Sequence, residues 1–235
     1  RAQSGQVALW HAADISRPND VESMVQRAVQ AFGSIDILVC NAGVIGAIGP
    51  VETTDWDDWV TAIQVNLLGT VLCCRSVVPI MRQQQHGKII ALSGGGATSP
   101  IAGFSAYGAS KAGLVRFIET LAVELEGTGI DVNAVAPGTL DTQMLDQTLE
   151  AGPERLSPDF LARSKAQKAS GGTPLQIPAN LITFLASSRS NGITGRLISA
   201  VWDDWEHLAE RKEQLRTSDV FTLRRIVPSD RGWDG

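Results

Sequence analysis

The sequence predicts an α/β fold, a parallel sheet with helices on both faces. Short apolar runs alternate along the chain with longer segments of helical periodicity, which is the pattern of repeated strand–helix–strand units. With 235 residues, 43% of them apolar, the chain is long enough for one sizeable core. Twenty basic and 25 acidic residues give a net charge of −5, which argues against nucleic acid as a partner.

Each element is predicted from its own local pattern. Short apolar runs predict strands at residues 7–13, 35–41, 88–93, 130–136 and 196–201. Helical periodicity predicts helices at residues 18–31, 56–85, 104–126 and 177–187. Pro18 opens the first helix and Gly33 ends it, while Thr54 or Asp55 can cap the second. Residues 139–172 are predicted to form a mobile helical lid over a substrate site.

The most informative local pattern is Tyr107-Gly-Ala-Ser-Lys111, which contains the only tyrosine of the chain. On a helix, this spacing places the phenol and the ammonium on one face, so the ammonium can lower the pKa of the phenol from its usual value near ~10. A phenol that exchanges a proton near neutral pH is a general acid/base for alcohol–carbonyl chemistry. Ser93, which follows an apolar run, could then hold the substrate oxygen.

Other motifs stand around this pair in a consistent order. They are Asn41-Ala42-Gly43, Asn66 in Val65-Asn66-Leu67-Leu68-Gly69, and Asn133-Ala-Val-Ala-Pro137-Gly138 ahead of Thr142. Together the motifs resemble the short-chain dehydrogenase/reductase family, over about residues 7–195. The resemblance implies a Rossmann-like, doubly wound parallel sheet in three α/β/α layers. It also implies an NAD(P)-dependent oxidoreductase that interconverts a secondary alcohol and a ketone.

The resemblance implies four catalytic residues, Asn66, Ser93, Tyr107 and Lys111. Tyr107 is the general acid/base, Lys111 holds the nicotinamide ribose, and Ser93 holds the substrate oxygen. Asn66 anchors a water for a proton relay at a local helix distortion, or is simply satisfied by its neighbours. The family's serine usually stands where Gly94 stands here, one residue nearer to the tyrosine than Ser93. We expect the following glycines to absorb this one-residue difference.

The resemblance also implies contacts with the cofactor, NAD or NADP. Asn41, Ala42 and Gly43 would lie against the adenosine half. Asp14, followed by Ile15, would approach the adenine, although Asp-x-Ser is also a good helix cap. The nicotinamide would be flanked by Pro137, Gly138 and Thr142, and Tyr107 and Lys111 complete the predicted cofactor-binding residues.

The N-terminal part departs from the family pattern. No glycine-rich turn for the cofactor pyrophosphate precedes Val7 in this sequence. Residues 1–5 have the composition of a helix end and its cap, and the strand at 7–13 matches the family's third. We therefore expect the fold to lack its first βαβ unit, together with the residues that select NAD over NADP.

The C-terminal part is longer than the family pattern. We predict a main domain over residues 1–201, N-terminally incomplete, and an extension over residues 202–235 that packs on the same domain. Trp202 and Trp205 could line a substrate pocket. The alternative, which we favour, is that they pack the extension onto the domain.

Composition and resemblance also bear on partners. The family usually forms homodimers or homotetramers through two long helices, here 56–85 and 104–126, and an apolar stripe on the second suits that contact: Val115, Ile118, Ala122 and Leu125. The substrate is a small molecule. No metal site is predicted, because the three cysteines and three histidines have no ligand spacing. No signal peptide and no membrane partner are predicted either. The predicted location is cytoplasmic.

Two alternatives to the dehydrogenase interpretation belong to other classes. The chain could be a non-catalytic or truncated binding remnant that keeps the fold without the cofactor. It could also be an epimerase or lyase that uses Tyr107 as acid/base on a sugar or a nucleotide-linked sugar.

Overall fold

The computed structural model describes residues 6–233, so the helix end predicted at residues 1–5 lies outside the described residues. The sheet has four parallel strands in the order β1-β2-β3-β4. Their bounds are β1 Ile37–Cys40, β2 Gly87–Leu92, β3 Ile130–Ala136 and β4 Arg196–Ser199. The predicted parallel α/β fold is confirmed. The absence of a leading βαβ unit stays a prediction.

Eight α-helices connect or flank these strands within the described residues. They are α1 Pro18–Phe32, α2 Trp56–Ile63, α3 Thr70–Gln84, α4 Ser105–Glu124, α5 Gln143–Ala151, α6 Pro158–Ala169, α7 Gln176–Ala186 and α8 Lys212–Arg216. The side chain of Asp55 caps α2 by accepting a hydrogen bond from Asp58 N at 2.9 Å. Gly33 ends α1 in the left-handed conformation, with a φ of 80°.

The strand predicted at residues 7–13 is wrong. These residues form no ladder with the rest of the sheet, and Trp10 is 85% exposed. A segment becomes a strand only where a neighbour accepts and donates its backbone hydrogen bonds. Among the described residues, β1 pairs with β2 alone, so residues 7–13 are not paired with its other edge and have no neighbouring strand.

Helices cover both faces of the sheet. On one face α1, α3 and α4 bury the larger core against β2 and β3, whereas α7 and the C-terminal residues cover the other face. The stripe predicted for a subunit contact lies in the larger core: Val115, Ile118, Ala122 and Leu125 are all buried. That prediction is wrong, because the apolar face of α4 packs on its own sheet.

The C-terminal residues run back along β4. Phe221 O accepts a hydrogen bond from Leu197 N at 2.8 Å. Trp205 packs against Phe184, with ring centroids 5.7 Å apart, and so attaches the C-terminal residues to the body. Trp202 is 85% exposed and does not contribute to this packing.

One long helix is apolar enough in composition to cross a membrane. It spans Trp56–Gln84 within the described residues, and its most apolar window has a mean hydropathy of 1.5. A core helix passes the same test, and this one buries Cys74, Val77 and Met81 against the sheet. The helix is therefore weak evidence for a membrane span.

Candidate active site

The carboxyl ends of three parallel strands open into one cleft of about 680 Å³. Nine of the predicted site residues line it: Asn41, Ala42, Gly43, Ser93, Tyr107, Lys111, Pro137, Gly138 and Thr142. They come from the loops after three strands and from the first turns of α4, which are far apart in the sequence. A second, open cleft adjoins the first and shares Gly43 and Met144 with it.

The predicted lid is helical and lies over this cleft. Its helices are α5 and α6, and Phe160 of α6 packs on Phe104, with ring centroids 5.2 Å apart. Lys168 bonds to Asp141 at 2.6 Å and to Asp146 at 2.8 Å. These contacts attach α6 to the loop after β3 and to α5. The mobility of the lid stays a prediction.

Tyr107 stands in the first turn of α4, facing the cleft. Burial raises the pKa of its phenol above the ordinary value, and no hydrogen bond holds its hydroxyl among residues 6–233. We expected Lys111 to lower this pKa. That expectation is wrong for the described arrangement, because the cost of burying a phenolate is not offset by a direct contact with the ammonium.

Lys111 is deeply buried, with 4% of its surface exposed. Its Nζ lies 5.8 Å from the centroid of the Tyr107 ring and donates a 2.7 Å hydrogen bond to Leu92 O, at the end of β2. Burial lowers the pKa of Lys111 to about 8. The predicted sharing of one helix face by Tyr107 and Lys111 is therefore seen, with the ammonium directed to the strand end.

Asn66 lies in a π-helical segment, Gln64–Gly69, between α2 and α3. Its side chain makes three protein hydrogen bonds, to Val44 N at 2.8 Å, to Val44 O at 2.9 Å and to Ser110 Oγ at 2.9 Å. The helix distortion was expected, and the amide is satisfied by its neighbours. Its role in a proton relay stays a prediction.

Gly43 lies close to two of these polar residues. A methyl group on its Cα would stand 3.1 Å from Asn66 Oδ1 and 3.5 Å from Lys111 Nζ. A methyl group here would therefore crowd the Asn66 amide and touch the Lys111 ammonium. The small residues of Asn41-Ala42-Gly43 keep this wall of the cleft open for a ligand.

Ser93 and Gly94 differ from the sequence-based expectation. The hydroxyl of Ser93 is buried and has no hydrogen-bond partner in the described part of the chain. A Cβ added to Gly94 would collide with the hydroxyl of Tyr107 and lie 3.0 Å from its Cζ. The structure therefore does not bring the Ser93 hydroxyl to Tyr107. Position 94 is the one that faces the phenol.

The opposite wall of the cleft follows β3. Gly138 has a φ of 83°, and a Cβ at this position would come within 2.7 Å of Thr173 and Val201, so the backbone turn requires glycine. Thr142 directly precedes α5, and its carbonyl accepts a hydrogen bond from Leu145 N at 2.8 Å. The loop after β3 is thus a tightly packed wall.

Asp14 and Ile15 are not part of the cleft lining. The carboxylate of Asp14 accepts hydrogen bonds from Ser16 N at 3.0 Å and Ser16 Oγ at 2.7 Å, just ahead of α1. These bonds lower the pKa of Asp14. Ile15 packs against Gly69 of the π segment. A role for either residue at the adenine stays a prediction.

Several residues of the site were not singled out from the sequence. Ser110 links Asn66 to the carbonyl of Tyr107, to which it donates at 2.8 Å. Its place beside Lys111 in the Tyr-x-x-Ser-Lys pattern was an available signal. Met144 and Phe160 reach the cleft through the packing of the lid, which no local pattern indicated. No cluster of three potential metal ligands occurs in the described ranges.

Comparison with known proteins identifies the family. Residues 1–200 match the profile described as Enoyl-(Acyl carrier protein) reductase. The (2S)-[(R)-hydroxy(phenyl)methyl]succinyl-CoA dehydrogenase subunit BbsD of Thauera aromatica is 38% identical over 201 residues, which cover 83% of this chain and 75% of that protein. The 3-oxoacyl-[acyl-carrier-protein] reductase FabG of Thermotoga maritima is 35% identical, covering 80% of this chain and 73% of that protein.

Solved structures agree with these relatives. NAD+-bound xylitol dehydrogenase superposes with a TM-score of 0.72 at 28% identity, covering 80% of this chain and 76% of that chain. The chain belongs to the short-chain dehydrogenase/reductase family. It is accordingly an NAD(P)-dependent oxidoreductase with a Rossmann-like fold, acting on a small molecule.

Proposed function

We propose that this enzyme interconverts a secondary alcohol and a ketone, with Tyr107 as general acid/base. The observation that carries the proposal is the convergence of the phenol of Tyr107 and the buried ammonium of Lys111 at the end of β2, in a cleft walled by small residues. A phenol with a raised pKa is protonated at neutral pH. Tyr107 would therefore donate its proton to the carbonyl oxygen during ketone reduction.

The cleft residues fit the nicotinamide end of the cofactor. Gly43 keeps free the space beside Asn66 and Lys111, and Pro137 and Gly138 form the facing wall. When bound, the nicotinamide supplies or accepts the hydride. Lys111 would hold the ribose hydroxyls, and Asn66 would act by holding Val44 and Ser110 in place.

The test is nucleotide turnover with a panel of ketones. NADH and NADPH would each be offered with acetoacetyl-CoA, cyclohexanone and a ketose, because the relatives named above include a CoA-thioester dehydrogenase and a 3-oxoacyl reductase. We expect ketone-dependent oxidation of one nucleotide. We expect Tyr107→Phe to lower kcat by at least ~10²-fold, with little change in nucleotide affinity.

The control is Ser99→Ala, which removes an exposed hydroxyl from the loop before α4 and should leave kcat unchanged. Near-normal turnover by Tyr107→Phe would remove Tyr107 from the mechanism. Nucleotide binding without turnover on any carbonyl would favour the non-catalytic interpretation. Release of an epimerised sugar without net nucleotide oxidation would favour the epimerase.

We also propose a homo-oligomer that pairs the outer face of the α2–α3 helix with a second copy. This helix is strongly apolar, yet only a third of its most apolar window is buried, and Leu68 is 47% exposed. Leu68→Glu should shift the protein toward monomer in analytical ultracentrifugation. Leu175→Glu, a change at an exposed leucine just before α7, should leave the oligomer intact. We expect a cytoplasmic enzyme.

A further inference from the structure

Gly94 has a backbone conformation that any residue could adopt. Its φ of −168° and ψ of 169° are those of an extended strand. The constraint at this position is therefore spatial. A Cβ on Gly94 would overlap the hydroxyl of Tyr107 and lie 3.0 Å from its Cζ and 3.1 Å from its Cε1. The phenol occupies the volume that a side chain at position 94 would fill.

The first turn of α4 packs directly on the loop that contains Gly94 and Gly96. A Cβ on Gly96 would lie only 3.0 Å from the Cα of Gly108, the residue after Tyr107. The backbone that carries Tyr107 thus has no room to approach the loop further. A side chain at position 94 would instead push the phenol outward, toward the cleft.

Ser93 faces away from the phenol. Its amide donates to Val135 O at 2.8 Å, which extends the pairing of β2 with β3. Successive side chains of extended backbone point to opposite sides, so a position 94 that faces Tyr107 directs position 93 elsewhere. This agrees with the Ser93 hydroxyl, which is buried and has no hydrogen-bond partner among residues 6–233.

We propose that Gly94 is a positioning residue, which seats the Tyr107 hydroxyl against the end of β2 so that it holds the substrate oxygen without help from the Ser93 hydroxyl. The inference rests on the proposed function and deepens it. Its consequence is that a side chain at position 94 harms turnover more than the loss of the Ser93 hydroxyl does. If Ser93 held the substrate oxygen, as the sequence predicted, loss of its hydroxyl would instead harm turnover more than a side chain at position 94.

The first test compares three variants with the wild type, using the ketone of the panel that is reduced fastest. Gly94→Ala should lower kcat at least ~10-fold, with the KM for the nucleotide changed less than ~2-fold, because only the phenol is displaced. Ser93→Ala should keep kcat within ~2-fold. Gly95→Ala is the matched control, since a Cβ there would meet nothing closer than Ile101 at 3.9 Å.

A second readout needs no substrate. Tyr107 is the only tyrosine, so ultraviolet difference absorbance follows its ionisation directly. Gly94→Ala should move the titration midpoint toward the ordinary value of a solvated phenol, because the hydroxyl moves outward. Ser93→Ala and Gly95→Ala should leave the midpoint in place. Circular dichroism would first establish that each variant is folded.

The proposal is overturned if Ser93→Ala loses ~10-fold or more in kcat, or if folded Gly94→Ala matches the wild type in kcat or in titration. If Gly94→Ala does not fold, Ser93→Ala decides alone. Failure of the proposed function has a different signature, which is a fully active Tyr107→Phe. If no ketone of the panel is reduced, the titration decides between the two positions.

Discussion

At the scale of single residues, the site buries its acid and its cation side by side. Desolvation disfavours the charged form of each, so it raises the pKa of Tyr107 and lowers the pKa of Lys111 to about 8. The Lys111 shift opposes folding at neutral pH, whereas the Tyr107 shift opposes it only at a pH above the ordinary value of 10.0, where the phenol of the unfolded chain ionises. Each shift belongs to a single residue and can therefore be tested by an experiment on that residue.

The first residue-scale prediction is that the pKa of Tyr107 lies above the ordinary value of 10.0 in the folded protein. The physical reason is burial of the phenol, whose hydroxyl receives no hydrogen bond from the part of the chain that the structure describes. Ultraviolet difference titration of the folded chain, with the urea-unfolded chain as reference, measures it. A midpoint below that of the unfolded chain would show that Lys111 dominates after all.

The second concerns the free energy of unfolding of Lys111→Met. The unfolded value of 10.5 for Lys111 exceeds the folded value of about 8, so the unfolded chain binds more protons between these pH values and stability rises with pH there. The penalty for burying the ammonium is complete below about pH 8. Removing the charge should stabilise the protein by about 1–2 kcal/mol at pH 7, after loss of the bond to Leu92 O, while abolishing turnover.

Urea unfolding of both proteins at pH 7 and at pH 9.5 checks this prediction. The advantage of Lys111→Met should shrink at the higher pH, because the wild-type ammonium deprotonates in the folded state first. Lys165→Met, at an exposed lysine of α6, is the control and should leave the free energy of unfolding at pH 7 nearly unchanged. An advantage that grows with pH would mean that Lys111 is stabilised in its charged form.

At the scale of elements, local sequence patterns predicted the bounds of helices, but they did not predict which elements pair or pack together. Periodicity, together with Pro18 and Gly33 at the ends of α1, placed α1 and α4 within two residues of their observed bounds. Residues 7–13 have the composition of a strand, but strand formation depends on a neighbour that no local pattern reveals. The side of α4 that faces the sheet was likewise assigned to a subunit contact, because an apolar stripe does not say what it packs against.

The element-scale prediction concerns Asn66, which joins the π segment to α4 and to the loop after β1. Asn66→Ala removes three side-chain hydrogen bonds and takes the partner from the part-buried N–H and C=O of Val44, while Ser110 keeps its bond to the carbonyl of Tyr107. We expect a loss of about 2–4 kcal/mol in the free energy of unfolding, together with reduced turnover. Asn180→Ala on the exposed face of α7 is the control. If both variants lost the same free energy of unfolding, Asn66 would not link these elements.

At the scale of the whole molecule, the C-terminal residues complete the body. Arg196 of β4 donates to the carbonyls of Leu215, Ser218 and Val220, the last at 2.7 Å. Leu223 N donates to Glu119 of α4 at 2.6 Å. One buried guanidinium and one carboxylate thus fix an irregular segment onto a strand and a helix. The sequence could suggest that the extension packs on the domain, but not which polar groups hold it.

The whole-molecule prediction is that Arg196→Met loosens this segment. Three backbone carbonyls would lose the guanidinium, and among residues 6–233 only that of Leu215 keeps another bond, from Ser218 N at 3.2 Å; the loss should cost about 2–4 kcal/mol in urea unfolding. Limited proteolysis should then cut between residues 212 and 223 before the rest of the chain. Arg216→Met, which removes an exposed ion pair with Glu213, should change neither measurement.

The π segment also sets the rotational phase of the longest helix. An α-helix advances about 100° per residue, so one additional residue in a turn rotates everything beyond it by about that angle. Asn66 can then reach the loop after β1 while Met81, further along the same helix, stays buried against Gly87. Straightening residues 64–69 into a regular α-helix at their present length would turn Met81 out of the core, whereas deleting one of these residues as well would leave Met81 facing Gly87. A single irregular turn thus lets one helix contact two parts of the protein that lie at different angles around its axis.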